Sequence, residues 1–166
     1  MAFVKQKIAP CLWFDDEAED AAKFYTSVFR NSAIKQISRF GNAGHDVHGK
    51  APNSVLTVEF EIEGQSFTAL NGGPQFTFNE GVSFQVMCDS QGEIDYFWSK
   101  LSDGGREGVC GWLKDKYGLS WQVVPAVLPQ LLVGDDMARR DRVLGAIMGM
   151  KKLDIEALAR AHAGTA

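Results

Sequence analysis

Three cysteines and three histidines make up the chain's stock of thiol and imidazole chemistry, and they are scattered along 166 residues. Cys110 stands beside Gly111 and shortly before Lys114 and Lys116. Nearby cations lower a thiol's pKa and make the reactive thiolate. Cys110 is therefore the nucleophile candidate, set against the ordinary behaviour of a free cysteine as a small buried apolar residue. No histidine accompanies it as a base. His45 and His48 form an HxxH pair whose rings a helix would bring to one side, but Gly41, Gly44 and Gly49 around them read as a solvated loop. His162, in the terminal tail, reads as exposed.

The elements that must position such groups follow from periodicity. Residues 7–14 read as a strand ending at Asp15 and Asp16, with Asp16 and Glu19 forming a capping-box pattern. Ala18, Ala21, Ala22, Tyr25, Val28 and Phe29 then recur at helical spacing and need a sheet to cover them. Residues 31–49 read as a strand and a glycine-rich loop, and 53–71 as two strands around a tight turn at Glu63 and Gly64. From Gly81 the order repeats. Val82, Phe84, Val86 and Cys88 alternate with Ser83, Gln85 and Met87, and Ser90 with Glu93 supplies a second capping box. Ile94, Phe97, Trp98 and Leu101 form the next helical stripe, stopped at Asp103, Gly104 and Gly105. Strands over 107–113 and 118–124 follow, joined by a turn at 115–118.

Beyond Pro129 the pattern turns helical. Asp135 or Asp136 starts one helix, with Met137, Leu144, Ile147 and Met148 expected inward. Asp154 caps another, with Leu153 and Leu158 placed as a hydrophobic staple. The chain thus reads as one α+β domain over 1–166: a first module at about 5–75, a second at about 80–128 and C-terminal helices at about 135–163. These helices suit a sheet edge or a dimer interface better than a ligand.

Composition excludes several partners. A net charge of -4 without a basic run offers no footprint for nucleic acid or an anionic membrane. No apolar stretch reaches the roughly 18 residues that span a bilayer. The odd cysteine count without a CxxC argues against a disulfide framework and for a cytoplasmic location.

The string from Cys110 to Pro125, CGWLKDKYGLSWQVVP, resembles the hallmark of PhnB-like proteins of the vicinal oxygen chelate superfamily. Residues 14–25 and 150–155 support the likeness. That superfamily includes glyoxalase I, bleomycin-resistance proteins and extradiol dioxygenases, and the PhnB-like group carries the label 3-demethylubiquinone-9 3-methyltransferase. The resemblance implies two tandem βαβββ modules whose curved sheets surround a cavity, commonly in a homodimer. It also implies that metal-using members place ligands at the positions of Pro10, Ala69, Ser83 and Gln122. None of these, nor their neighbours Ala9, Cys11, Leu70, Phe84 and Val123, restores the His and carboxylate set that a catalytic divalent ion needs.

If Gln122 faces the cavity, strand parity gives a wall of Asn71, Ser83, Gln85 and Gln122, joined by Cys110 and Trp112, that is apolar and neutral-polar without charge. The expectation is a metal-independent, cofactor-free protein binding a small organic molecule. The alternatives are an enzyme of the superfamily, glyoxalase-like or a methyltransferase as the label suggests, and an interaction protein working through its C-terminal helices. Gly72-Gly73-Pro74 and Gly104-Gly105 follow a strand and a helix as turns, without the strand, glycine turn and helix of a doubly wound cofactor site.

Overall fold

Two parallel strand pairs, each closing a βαβββ module, organise the computed structural model, which describes residues 6–165. The chain divides into two compact units, one ending at Phe78 and one beginning at Asn79. The expected start of the first module, at about residue 5, lies outside the described residues. Among the described residues no helix is long and apolar enough to cross a membrane.

The first unit runs β1 (Cys11–Phe14), α1 (Ala18–Val28), β2 (Ser32–Arg39), the four-residue α2 (His45–His48), β3 (Val55–Ile62) and β4 (Gln65–Asn71). Its sheet has the order β1-β4-β3-β2, with β1 parallel to β4 and the other pairs antiparallel. Glu63 and Gly64 both have positive φ, as a two-residue hairpin turn between paired Ile62 and Gln65 requires. The expected stripe Ala18, Ala21, Ala22, Tyr25 and Val28 is buried. Its alanines let the helix approach the sheet closely, and Tyr25, Phe60 and Phe67 pack in sequence with centroids 6.1 and 5.3 Å apart.

Helix α1 is not capped as its sequence suggests. Glu17 occupies the N-cap without a side-chain bond to the helix, and Glu19 pairs with Lys23 at 2.7 Å instead of reaching back. The orphan N–H of Ala18 is satisfied by the buried Asn71, 53 positions away, whose Oδ1 accepts it at 2.8 Å while Nδ2 donates to the carbonyl of Val55 at 3.0 Å. One amide thus joins α1 to β3 and β4.

The second unit runs β5 (Ser83–Cys88), α3 (Gln91–Ser102), β6 (Arg106–Glu107), β7 (Trp112–Lys114), β8 (Ser120–Pro125), α4 (Leu128–Leu132), α5 (Met137–Met148) and α6 (Ile155–Ala163). Its sheet order, β5-β8-β7-β6, reproduces the first. Here the cap is local: the N–H of Glu93 donates to the N-cap Ser90 Oγ at 3.2 Å, and Glu93 Oε2 accepts from the N–H of Asp89, one residue before the expected box position, at 2.7 Å. Ile94, Trp98 and Leu101 are buried on one face of the sheet, against which Val86, Cys88, Leu113, Trp121 and Val123 are also buried.

The β7–β8 turn is organised by Asp115, which is 2% exposed. Its Oδ1 accepts the N–H groups of Tyr117 and Leu119 at 2.9 and 3.1 Å, and its Oδ2 accepts Trp121 Nε1 at 2.8 Å. Gly118 supplies the positive φ that the turn needs.

The long strand expected at 107–113 is interrupted. Residues 108–111 leave the ladder, with Cys110 and Gly111 both at positive φ, and their N–H groups donate to Met150 and Lys151 carbonyls at 2.7 Å. The C-terminal helices dock there. Val124, Val143, Leu153 and Leu158 form one buried cluster, and the staple positions 153 and 158 are occupied as expected. Asp136 and Asp154 cap α5 and α6. The inward face of α5 differs from expectation: Val143 is buried, whereas Met137 and Met148 are 66% and 72% exposed and Leu144 is 40% exposed, because the cluster is reached through Val143, Ala146 and Ile147.

Removing the buried Asp115 carboxylate takes away the acceptor that three donors of the turn share. Asp115→Ala is expected to destabilise the protein by about 3–5 kcal/mol in urea denaturation; a loss under about 1 kcal/mol would show that the turn stands without it.

Candidate functional site

Alternation along β5 and β8 gives the second sheet two unlike faces. One lies against α3. The other carries Ser83, Gln85 and Met87 from β5, Ser120, Gln122 and Val124 from β8, and Trp112 and Lys114 from β7. Register sets their neighbours: Ser83 is level with Ser120 and Lys114, and Gln85 with Gln122 and Trp112. Gln122 Nε2 donates to Ser83 Oγ at 2.8 Å, and Gln85 Nε2 donates to Gln122 Oε1 at 3.3 Å. Four expected residues, Ser83, Gln85, Trp112 and Gln122, therefore occupy one face. Gln85 is exposed, and Ser83, Trp112 and Gln122 are half-buried. Trp121 is buried on the opposite face, as parity requires.

The expectation of a wall without charge fails at the β7–β6 end. Arg106 is level with Lys114, and Glu80 reaches both, with its carboxylate 2.7 Å from Lys114 Nζ and 4.0 Å from Arg106 Nη2. The hydrogen bond from Lys114 holds the Glu80 carboxyl below the usual carboxylate range. Sequence parity could place Lys114 on this face, but nothing local reveals that Glu80 meets it 34 residues away.

Asn71 lies elsewhere. On β4 the buried residues are Phe67, Ala69 and Asn71, which face α1, while Ser66, Thr68 and Leu70 take the open side. The alignment that put Ala69 toward a cavity is thus shifted by one residue, and one residue exchanges faces. Asn71 spends both ends of its amide on backbone. On the open side of this sheet Cys11 is level with Thr68, and Thr68 with Glu59. The other β3 carboxylate, Glu61, pairs with Lys35 at 3.7 Å.

Neither the original nor the shifted positions supply a catalytic metal's donors. Pro10, Ala69, Ser83 and Gln122, and the shifted Cys11 and Thr68, offer no imidazole or carboxylate, and among the described residues no group of three or more His, Cys, Asp or Glu side chains could hold an ion. Among the described residues, these positions do not fit a mononuclear His and carboxylate centre. His45 and His48 sit on the short α2 where a loop was expected, and both ring nitrogens of His48 are engaged: Nδ1 accepts from the N–H of Lys50 at 3.0 Å and Nε2 meets the carbonyl of Ala43 at 3.1 Å.

Cys110 owes its position to backbone bonding at the 108–111 excursion rather than to a cationic nest. Lys114 is engaged by Glu80, and Lys116 lies over the Tyr117 ring at 5.4 Å. Both glycine pairs serve packing. The indole of Trp13 fills the space where a Cβ on Gly72 would lie, 2.2 Å from its ring, and donates to the Gly73 carbonyl at 2.8 Å. A Cβ on Gly105 would meet the Lys114 carbonyl at 2.2 Å.

Two four-stranded sheets with repeated β-α-β-β-β order define the glyoxalase/bleomycin-resistance-like fold of the vicinal oxygen chelate superfamily. Within it, the chain belongs to the PhnB-like family described as 3-demethylubiquinone-9 3-methyltransferase, which matches residues 6–124. A PhnB protein from Bacillus cereus carrying that description is 35% identical, covers 73% of this chain and 100% of its own, and superposes with a TM-score of 0.65. Two more distant structures share the fold. Protein PA1353 from Pseudomonas aeruginosa is 18% identical over 73% of this chain and 98% of its own, with a TM-score of 0.60. A single-residue mutant of the fosfomycin resistance protein FosX from Listeria monocytogenes, complexed with Mn(II) and a dihydroxypropylphosphonic acid, is 14% identical over 79% of this chain and 100% of its own, with a TM-score of 0.53. No curated protein matches.

The thiols give a direct check on the site's surroundings. Burial, then the charges of Glu93 and Asp89, push the Cys88 thiol up to about 12, and desolvation also raises Cys11. A raised thiol pKa leaves less thiolate at neutral pH. Iodoacetamide at a pH of about 8 is expected to leave Cys88 unlabelled in the native protein and to modify it in urea, with Cys11 labelling faster as pH rises; rapid native labelling of Cys88 would show that the α3 face opens.

Proposed function

We propose that the chain binds a small, partly apolar organic molecule on the open face of its second sheet, without a bound metal ion. The observation that carries this reading is the hydrogen-bonded row Ser83–Gln122–Gln85 beside Trp112. A half-buried aromatic surface edged by neutral donors and acceptors can orient a ligand's polar groups while its apolar part leaves water. The face also differs from the helix side in carrying the polar side chains of Ser83, Gln85 and Gln122.

Donor chemistry supports metal independence: a hydroxyl and an amide at the positions of Ser83 and Gln122 are weak ligands for a divalent catalytic ion. Methyl transfer, the activity in the family's description, finds its glycine-turn candidates already used, at Gly72 and Gly73 by Trp13 and at Gly105 by the Lys114 backbone. Sequestration of a ligand is therefore the leading activity. The stripe of Met137, Leu144 and Met148 on α5, spaced to share one helical face, supports assembly as a homodimer. The unpaired thiols Cys11, Cys88 and Cys110 suit the reducing cytoplasm.

Ligand binding to the native state raises the melting temperature. In a thermal-shift screen of small aromatic and quinone-like compounds, a stabilising compound is expected to act equally with and without chelator, and Gln122→Leu is expected to weaken its binding roughly tenfold, the effect of about one lost buried hydrogen bond. Stabilisation only with added metal, or indifference to Gln122→Leu, would contradict the reading. In sedimentation velocity, Leu144→Glu is expected to convert a dimer to a monomer; a wild-type monomer at micromolar concentration would remove the homodimer.

A further inference from the structure

The level of the sheet that holds Ser83 continues in register through Ser120 and Lys114 to Arg106. At its β7–β6 end a pocket of about 70 Å³ is lined by Glu80, Arg106, Gly108, Trp112, Leu113, Lys114 and Ser120. Two properties of this pocket are unusual for a structural void. Ser120 is 1% exposed, and its Oγ has no hydrogen-bond partner among the described residues. A buried hydroxyl left unpaired costs about 1–3 kcal/mol, so an unsatisfied one in a pocket wall points to a partner supplied from outside. The charges are also unbalanced, since Lys114 and Arg106 share the single carboxylate of Glu80. Lys114 is the more sheltered cation, with its side chain 25% exposed, while Arg106 only reaches the edge of ion-pair distance at 4.0 Å.

Resting on the organic-ligand reading above, we propose that this pocket is the head-group end of the site and selects a small organic acid, whose carboxylate takes the place of the Glu80 carboxylate on Lys114 and accepts a hydrogen bond from Ser120 Oγ. Glu80 is then an internal stand-in for the ligand. Its side chain is 58% exposed, so it leaves for solvent without disturbing a packed core. The size of the pocket decides how much of the ligand enters. Binding sites for whole organic ligands run to roughly 300–1,000 Å³, so a pocket of about 70 Å³ takes the acid group alone. The remainder of the molecule lies along Trp112 and the Gln122–Gln85 row, on the adjacent level of the sheet.

Displacement of a resident carboxylate makes an unusual prediction: removing a negative charge from the wall strengthens binding of an acid while leaving a neutral analogue unaffected. The probes are phenylacetate and its neutral isostere phenylacetamide, titrated into the full chain and followed by the indole N–H signals in NMR. Phenylacetate is expected to bind tighter than the amide, about fivefold tighter again to Glu80→Gln, and about tenfold more weakly to Lys114→Met, with Lys114→Arg recovering part of the loss. Ser120→Ala is expected to weaken phenylacetate severalfold and to leave the amide unchanged. Because Glu80 is an exposed residue, Glu80→Gln remains informative even where Lys114→Met fails to fold.

Equal affinity for acid and amide would overturn the acidic head group while leaving organic-ligand binding in place. Unchanged or weaker phenylacetate binding by Glu80→Gln would overturn the displacement, and the absence of any indole shift from either probe, in both wild type and Glu80→Gln, would overturn the pocket itself. An acid whose binding depends on Lys114 but not on Gln122 would instead sink the role given to the Gln122 row and keep the head-group pocket.

Discussion

The carboxylate of Asp115 holds the register on which the second unit's surface chemistry depends. It gathers two backbone N–H groups and the Trp121 indole within 3.1 Å, in a turn where the chain must reverse between Lys114 and Ser120. Strand side chains alternate with a period of two, so a slip of one residue would send Gln122 toward α3 and Trp121 into solvent. The indole bond guards against that slip directly, since Trp121 can reach Asp115 only from the helix side. From this one constraint follow the pairing of Trp112 with Gln122, of Lys114 with Ser120, and the chain of hydrogen bonds that ends on Ser83.

The two modules repeat a topology but divide its uses. In the first, the end of β4 supplies Asn71, whose amide substitutes for the missing cap of α1, so polar chemistry at this point is spent on holding the helix. In the second, Ser90 and Glu93 cap α3 locally, and on the other face of β8 Val124 packs into the cluster with Val143, Leu153 and Leu158. That cluster fixes the C-terminal segment, whose carbonyls at Met150 and Lys151 in turn hold the positive-φ backbone of Cys110 and Gly111. The excursion at 108–111 is thus a joint between the sheet and the helices. It also shapes the pocket wall at Gly108.

Much of this is legible in the sequence because it is local. The helical stripe from Ala18 to Val28, the box at Ser90 and Glu93, the staple at Leu153 and Leu158, and the alternation in β5 and β8 are all written within a dozen or so residues. What escapes depends on distant partners or on a register that spacing alone does not set. Asp16 and Glu19 have the composition of a cap, yet Asn71 takes the donor from 53 positions away. An alignment of strands sends Ala69 and Asn71 to the open side because it tolerates a shift of one residue, and the shift exchanges faces. Lys114 is visible as a cation in a hallmark string, whereas its pairing with Glu80, and the buried Ser120 beside it with no hydroxyl partner among the described residues, emerge only when β7, β8 and the segment before β5 come together. The α5 face departs from its apparent stripe because Val143, one position from Leu144, turns the buried side by about 100°.

The proposed ligand lies on the open face of the second sheet and not on the helix side or at the C-terminal helices. Side-chain NMR with any compound found to stabilise the protein tests it most directly. On saturation the amide NH2 signals of Gln85 and Gln122 and the indole N–H of Trp112 are expected to shift together, while the indoles of Trp98 and Trp121, bonded to Glu107 and Asp115 on the other face, do not. Shifts confined to α5 and α6, or to the Asp16, Asp20 and Lys50 surface of the first unit, with Gln122 unmoved, would contradict it.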